Sequence, residues 1–117
     1  MQPRDERVLE HILDYCESIE QCTVRFGDDF ESFLTDNAYH DLICFYLLQI
    51  GELSGNLSSE LRTRSADRME WGQMKGMRNI VAHHYGTIRL DMVWDTVKND
   101  IPPLKAFCEE QLNHADS

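Results

Sequence analysis

The chain has 117 residues, 42% hydrophobic and 27% charged, which suits a single soluble domain with one core. Its net charge of −10, from 11 basic and 21 acidic residues, argues against a protein that coats nucleic acids nonspecifically. The longest apolar run, residues 42–48, is far shorter than the roughly 20 residues of a membrane span, and residues 1–10 carry five charges instead of a signal segment. We therefore expect a cytoplasmic protein without membrane association.

The first part of the chain predicts one long and one short helix. Apolar residues recur every three or four positions and predict a helix from about Arg4 to Arg25. Pro3 suits the start of this helix and Gly27 its end. Asp28 or Asp29 can then cap a short helix that carries Phe30, Phe33 and Leu34.

The third predicted helix, from about Ala38 to Asn56, is the most apolar part of the chain and is expected to be central. Asp36 or Asn37 can cap it. Its apolar stripe is wide enough to face more than one neighbour: Leu42, Ile43, Tyr46, Leu47, Ile50, Leu53 and Leu57. Because large exposed apolar surfaces mark interfaces, the stripe predicts a homodimer unless residues 30–34 and 57–61 cover the surplus.

The fourth part, residues 57–68, predicts a short helix and a connection. A further helix is expected to begin between Asp67 and Trp71 and to run through residues 77–85. Gly86 and Thr87 break that pattern.

A last helical pattern runs from Leu90 to Leu112 and contains two prolines, Pro102 and Pro103. Proline is accepted in a first helical turn but not in an interior, so this helix either kinks or is restarted by a cap at residues 99–100. Residues 113–117 are expected to be a frayed tail. No alternating strand pattern is present, which predicts an all-α antiparallel bundle of four or five helices, forming one domain over residues 1–117.

Within an apolar stretch, residues 77–86 contain four polar side chains that can take part in binding or catalysis: Arg78, His83, His84 and Tyr85. Arginine offers a planar fork of donors suited to phosphate, and histidine titrates near neutral pH. On an ideal helix, residues five apart differ by about 140° and residues seven apart by about 20°. Arg78 and Tyr85 therefore share a face, whereas Arg78 and His83 converge only if the helix loosens or ends near residues 82–84, or if a second subunit completes the site. The structural alternative is a histidine at a helix C-terminus with Arg78 in a surface salt bridge.

A locally basic section surrounds this motif. Against two acids, Asp67 and Glu70, the section from residue 62 to residue 89 carries six cations: Arg62, Arg64, Arg68, Lys75, Arg78 and Arg89. It is either an ordinary solvated surface or a guide that leads a phosphate chain to the motif.

The four cysteines, Cys16, Cys22, Cys44 and Cys108, lie in apolar periodic stretches without paired short spacings. Free cysteine packs as a small hydrophobic residue, so reduced core cysteines are expected. The spacing of cysteine and histidine gives no zinc-type pattern and no metal site.

Three stretches match a known pattern: residues 49–53 (Gln-Ile-Gly-Glu-Leu), residues 71–85 with Arg78-x-x-x-x-His83-x-Tyr85, and residues 93–102. Over about residues 8–107 the chain resembles the HepT-like branch of the HEPN proteins. The resemblance implies an all-helical HEPN-type homodimer with metal-independent ribonuclease activity and no cofactor, acting as the toxin of a toxin–antitoxin pair. It also implies an MntA-like nucleotidyltransferase antitoxin that adenylylates the motif tyrosine, Tyr85. Where many relatives carry a basic or amide residue, this chain has Phe45 and Tyr46.

Motif chemistry and resemblance together assign roles in RNA cleavage. His83 is the candidate general acid or base, and Arg78 is expected to hold and neutralise the phosphate. Tyr85 would position RNA or water, Asn79 is a candidate for a further hydrogen bond, and His84 adds a second imidazole without an assigned role. The alternative is a noncatalytic helical subunit that binds a nucleotidyltransferase or a nucleotide through the same residues.

Overall fold

The computed structural model describes residues 1–83 and 89–115, with side chains at all of these positions except 77, 80–83 and 115. This part of the chain contains helices and no strand, which confirms the all-α prediction. Its helices are α1 (Pro3–Phe26), α2 (Phe30–Thr35), α3 (Asn37–Ser54), α4 (Ser59–Arg64), α5 (Trp71–His83), α6 (Leu90–Asn99) and α7 (Ile101–Ala115). None of them is long and apolar enough to cross a lipid bilayer.

Local capping sets the boundaries in the first part of the chain. Pro3 begins α1, and Gly27 ends it with a φ of 120°, a conformation that glycine adopts without strain. Asp29 caps α2 by accepting a hydrogen bond from the Ser32 backbone N–H at 2.8 Å, and Asp36 caps α3. The predicted boundaries of these helices are confirmed to within two residues.

Helix α3 is central, as predicted, because it packs against α1, α2 and α5. Its residues Ile43, Leu47 and Ile50 are fully buried. The short helix α2 packs against α3 and buries Phe33, which covers part of the apolar surplus. Leu57, before α4, and Leu61, within α4, are buried in the same core. Of the predicted stripe, Leu42, Tyr46 and Leu53 are only half-buried. Phe45, which lies outside the stripe, is 48% exposed, so apolar surface on α3 remains open.

The last helical pattern is two helices, since α6 ends at Asn99 and α7 begins at Ile101. Pro102 and Pro103 lie in the first turn of α7, where their missing N–H groups break no helical hydrogen bond. Of the two alternatives, the restarted helix is confirmed. Helix α7 includes residues 113–115, which were expected in a frayed tail.

Two polar contacts hold the start of α4 and of α5. Asp5 on α1 is buried and accepts from the Ser58 backbone N–H at 2.8 Å and the Ser58 hydroxyl at 2.6 Å. The Trp71 indole N–H donates to the Ser65 hydroxyl at 2.9 Å, and its ring meets Phe107 of α7 edge-on at 5.8 Å. The Trp71 contacts fix the first turn of α5, the helix that carries the motif.

All four cysteines are free and buried, as predicted. Burial raises the pKa of Cys44 to about 11 and of Cys108 to about 12. Since the thiolate is the reactive form, these thiols are inert at neutral pH.

Candidate active site

Helix α5 meets α3 at Gly51, which is buried opposite Arg78. A Cβ atom at position 51 would lie 3.0 Å from Arg78 Cγ, 3.0 Å from the Met74 carbonyl oxygen and closer still to Arg78 Cβ. A side chain there would therefore force the two helices apart. Gly51 lets the stem of Arg78 lie directly on the α3 backbone.

The guanidinium group of Arg78 is held by two neighbours. Its Nε donates to Glu52 Oε1 at 2.6 Å, and its Nη2 also pairs with that oxygen. Its Nη1 donates to Asn79 Oδ1. The Arg78 side chain is 31% exposed and that of Glu52 is 50% exposed, so the pair lies at the surface, within reach of a ligand.

The other predicted site residues are only partly within the described structure. His83 is the last residue of α5, and its side chain lies outside the described atoms. His84 and Tyr85 lie outside the described residues altogether. Asn79 is exposed and shares the site with Arg78 through its side-chain oxygen. The convergence of Arg78 and His83 stays a prediction.

Sequence reasoning assigned no role to Gly51 or Glu52, although both lie in a stretch quoted for the resemblance. A glycine followed by an acid inside the most apolar helix was the available signal. Phe45 precedes Glu52 by seven residues, which places both positions on one face of α3, about two turns apart. The polar contribution of α3 to the site therefore comes from Glu52, while Phe45 supplies exposed apolar surface.

The sequence matches a known protein family. The family model described as Ribonuclease HepT-like matches residues 12–111, a range that includes Glu52 and Arg78. The chain belongs to the ribonuclease HepT-like family. The resemblance to HepT-like proteins drawn from the motif is thus confirmed.

Several relatives carry names that refer to ribonucleases. The chain is 34% identical over 102 residues to Probable ribonuclease HepT of Thermococcus cleftensis, covering 87% of this chain and 90% of that protein. It is 32% identical over 104 residues to Putative RNase TTE0752 of Caldanaerobacter subterraneus subsp. tengcongensis, covering 89% of this chain and 90% of that protein. It is 34% identical over 97 residues to Gamma-glutamylcyclotransferase and putative RNase MJ0434 of Methanocaldococcus jannaschii, covering 83% of this chain and 42% of that protein. No solved structure matches the chain.

The basic section of this HepT-like chain is largely engaged by its own polar residues. Four of its six cations have partners: Arg64 with Gln111 at 3.5 Å, Arg68 with Glu110 at 2.8 Å, Arg78 with Glu52, and Arg89 with Asp91 at 2.6 Å. Within residues 1–83 and 89–115, Arg62 and Lys75 form no ion pair, and the Arg62 Nε is buried without a hydrogen-bond partner. The prediction that the basic section guides a phosphate chain to the motif therefore depends mainly on Arg62 and Lys75.

A groove of about 360 Å³ separates α5 from α6 in this HepT-like fold. On the α5 side it is lined by Gln73, Met74 and Gly76. On the other side it is lined by Met92, Asp95, Thr96, Asn99 and Asp100. We call this feature the α5–α6 groove. Burial, followed by the nearby Asp95 carboxylate, raises the pKa of Asp100.

Proposed function

We propose that the chain is a metal-independent endoribonuclease toxin that cleaves RNA with Arg78 and His83. The observation that carries the proposal is the fixed Arg78 guanidinium, seated on Gly51 and oriented by Glu52, in a chain of the HepT-like ribonuclease family. A planar cation held in this way is suited to a phosphodiester.

The proposed reaction is a transfer of the phosphodiester bond to the neighbouring 2′-hydroxyl. The 2′-oxygen loses its proton to a general base and attacks phosphorus, while the 5′-oxygen leaves with a proton from a general acid. The products are a 2′,3′-cyclic phosphate and a 5′-hydroxyl. His83 would supply one of these proton transfers, because the ordinary histidine pKa is about 6.5, near the working pH.

Arg78 would stabilise the charge that develops on the phosphorane oxygens. A guanidinium has five N–H donors, of which Glu52 engages two, on Nε and Nη2, and Asn79 engages one, on Nη1. One proton on Nη1 and one on Nη2 are left for a phosphate. Glu52 can therefore keep its hold on the Nε edge while the opposite fork receives the substrate.

The test is to replace Arg78 and His83 by alanine one at a time and to measure RNA cleavage and growth arrest. We expect each change to lower the cleavage rate by about 10²- to 10⁴-fold, the range found for proton-transfer groups and transition-state donors. Arg64→Ala is the charge-matched control, because it removes a cation from the same basic section. A chelator should leave cleavage unchanged.

Circular dichroism should show that both variants stay folded. If both retain the parental cleavage rate, or if the chelator abolishes cleavage by the parent, this mechanism is wrong.

Regulation by a nucleotidyltransferase is part of the proposal. An MntA-like antitoxin would transfer AMP to Tyr85, adding a bulky anion to the motif that carries Arg78. Such an anion would occupy the cation and repel an incoming RNA backbone. Coexpression with the partner, followed by intact mass measurement, decides this. If activity is silenced without an added AMP, or if Tyr85→Phe is silenced as fully as the parent, adenylylation of Tyr85 is not the mechanism.

A homodimer is also proposed. The support is the apolar surface that remains on α3, where Phe45 is 48% exposed. Sedimentation at micromolar concentration should give a dimer for the parent and a monomer for Phe45→Glu. A monomeric parent would reject both the dimer and any active site shared between subunits.

One observation favours a second candidate, a noncatalytic subunit that binds a nucleotidyltransferase or a nucleotide. Glu52 already neutralises Arg78, as a purely structural ion pair would. For that function, the purified chain would bind the transferase with nanomolar to micromolar affinity and would cleave no RNA. Arg78→Ala would then weaken complex formation.

A further inference from the structure

The α5–α6 groove has the size and lining of a small-molecule site. Its volume of about 360 Å³ falls within the roughly 300–1,000 Å³ of typical ligand pockets. Met74 and Met92 provide apolar, polarizable walls that suit the face of an aromatic ring. Gln73 and Asn99 add amide groups, which can both donate and accept hydrogen bonds.

Asp100 in this groove lacks the backbone N–H donors that a carboxylate at the start of a helix normally has. It directly precedes α7, where a cap carboxylate accepts hydrogen bonds from the backbone N–H of the second or third helical residue. Those two residues are Pro102 and Pro103, which have no N–H. Among the described residues, neither the Asp100 carboxylate nor that of Asp95 has a hydrogen-bond or ion partner.

These two carboxylates define what the groove can recognise. An ionised carboxylate only accepts hydrogen bonds, so a matching ligand must present donors. Burial raises the pKa of Asp100, which is the behaviour of a half-buried carboxyl group without a donor.

The groove and position 83 share one face of α5. Positions 76 and 83 are seven residues apart in α5, about 10 Å along the axis and about 20° around it. Gly76 has open space where a Cβ would lie, so a strand can approach the helix backbone there.

We propose that the α5–α6 groove binds the nucleobase next to the cleaved phosphate and selects guanine. This inference rests on the proposed ribonuclease function and names the base that it prefers. Guanine presents two adjacent donors, N1–H and the N2 amino group, on its Watson–Crick edge, which a carboxylate can accept side by side. Uracil presents one donor flanked by two acceptors, and adenine and cytosine present one amino group beside an acceptor. Single-stranded RNA is read in this way, by hydrogen bonds to the edges of splayed bases.

The test uses the purified chain and short RNA oligonucleotides that differ only in one base, namely guanine, adenine, cytosine, uracil or inosine. The parent should cleave next to guanine about ten- to a hundredfold faster than next to the other bases, as expected for one bidentate base contact. Inosine, which lacks the N2 amino group, should lose most of that advantage. Asp100→Asn should lower cleavage at guanine by a similar factor and leave the other bases within about twofold.

Combining Asp100→Asn in the protein with inosine in the RNA gives a double-mutant cycle. A merely structural effect of the substitution would not produce the result expected from this cycle. In Asp100→Asn, inosine and guanine should be cleaved at nearly equal rates, because the contact is already missing. Asp14→Asn on α1 removes the same charge far along the chain and should behave as the parent. If the parent shows no base preference, or if Asp100→Asn slows cleavage equally at every base, the inference is wrong while the ribonuclease proposal stands.

A second measurement separates the two proposals if the parent cleaves no RNA. Guanosine 3′-monophosphate and uridine 3′-monophosphate are titrated against the labelled chain, and the Gln73 and Asn99 side-chain amide signals are followed by NMR. Saturable shifts with guanosine, at least tenfold tighter than with uridine, would support the groove. Equal shifts, no shifts, or shifts produced only by Mg²⁺ would overturn it, the last by making the groove a cation site.

Discussion

Two regions of the molecule bury very different side chains. One is the frame formed by α1, α3 and α7, and the other is the motif helix α5. In the frame, Leu9, Ile12 and Leu104 are completely buried. Among the described side chains of α5, Trp71 and Met74 are the buried hydrophobic ones, each 9% exposed. The frame therefore derives its stability from apolar area removed from water. Helix α5 is held at its first turn and at Gly51, and presents much of its described surface to solvent.

This difference separates stability from activity. A substitution in the frame should lower the free energy of unfolding, and activity should fall only because less of the protein is folded. A change at the contact between α3 and α5 should alter the reaction in a chain that still folds. The following predictions test that separation, from the largest expected effect to the smallest.

Phe107→Ala should break the frame. Phe107 is 1% exposed and packs edge-on against Trp71, so its removal leaves a cavity between α7 and the start of α5. We expect a loss of about 3–5 kcal/mol in the free energy of unfolding, measured by chemical denaturation. Lys105→Ala, also on α7, removes an ion pair between the half-buried Lys105 and Glu20 of α1 and should change it little. Equal effects would mean that α7 is not part of a close-packed frame.

Gly51→Ala should disturb both regions at once. The added methyl group would meet the stem of Arg78 and the Met74 carbonyl oxygen, and overpacking of this kind costs about 1–3 kcal/mol. RNA cleavage should fall as well, because Arg78 is displaced. Gly72→Ala, in the same helix, is the matched control: nothing lies within 4 Å of its Cβ position, and it should stabilise α5 by up to about 1 kcal/mol. A stabilised Gly51→Ala variant would contradict the close contact.

Glu52→Ala should affect activity with little effect on folding. Without the carboxylate, Arg78 loses the contacts that orient its Nε edge, and a misplaced group can lower kcat/KM by about tenfold to a hundredfold. Glu52→Gln keeps an acceptor oxygen and should retain most of the activity. Should kcat/KM rise in Glu52→Ala, Glu52 competes with the substrate for Arg78 instead of positioning it.

Asp100→Asn should have a small effect on stability, visible as a change in the pH dependence of the free energy of unfolding. The pKa of Asp100 is raised in the folded chain from the ordinary value of 3.8, so its protonated form is favoured by folding. Its contribution to stability is fully present below pH 3.8 and is lost as pH rises through the raised folded pKa. At pH 7 the asparagine variant should therefore be at least as stable as the parent, and near pH 3 this advantage should vanish. A variant less stable at pH 7 would show that the carboxylate has a stabilising donor.

The sequence alone determined the helices and the family. Asp29 and Asp36 cap helices from one residue away, and Gly27 ends α1 by its own conformation. These choices depend on neighbours in the chain, so periodicity and capping rules could predict them. The motif at residues 78–85 was likewise readable as a linear pattern. The prolines at 102–103 predicted an interruption but left a kink and a restart as alternatives.

Only the tertiary structure decided how charges and surfaces meet. Glu52 and Arg78 are 26 residues apart in the chain, and Arg68 and Glu110 are 42 apart, so no local rule pairs them. The same packing placed the Asp100 carboxylate in a groove with α5. Contacts between distant residues depend on how helices pack against one another, and that packing is set by the whole core together.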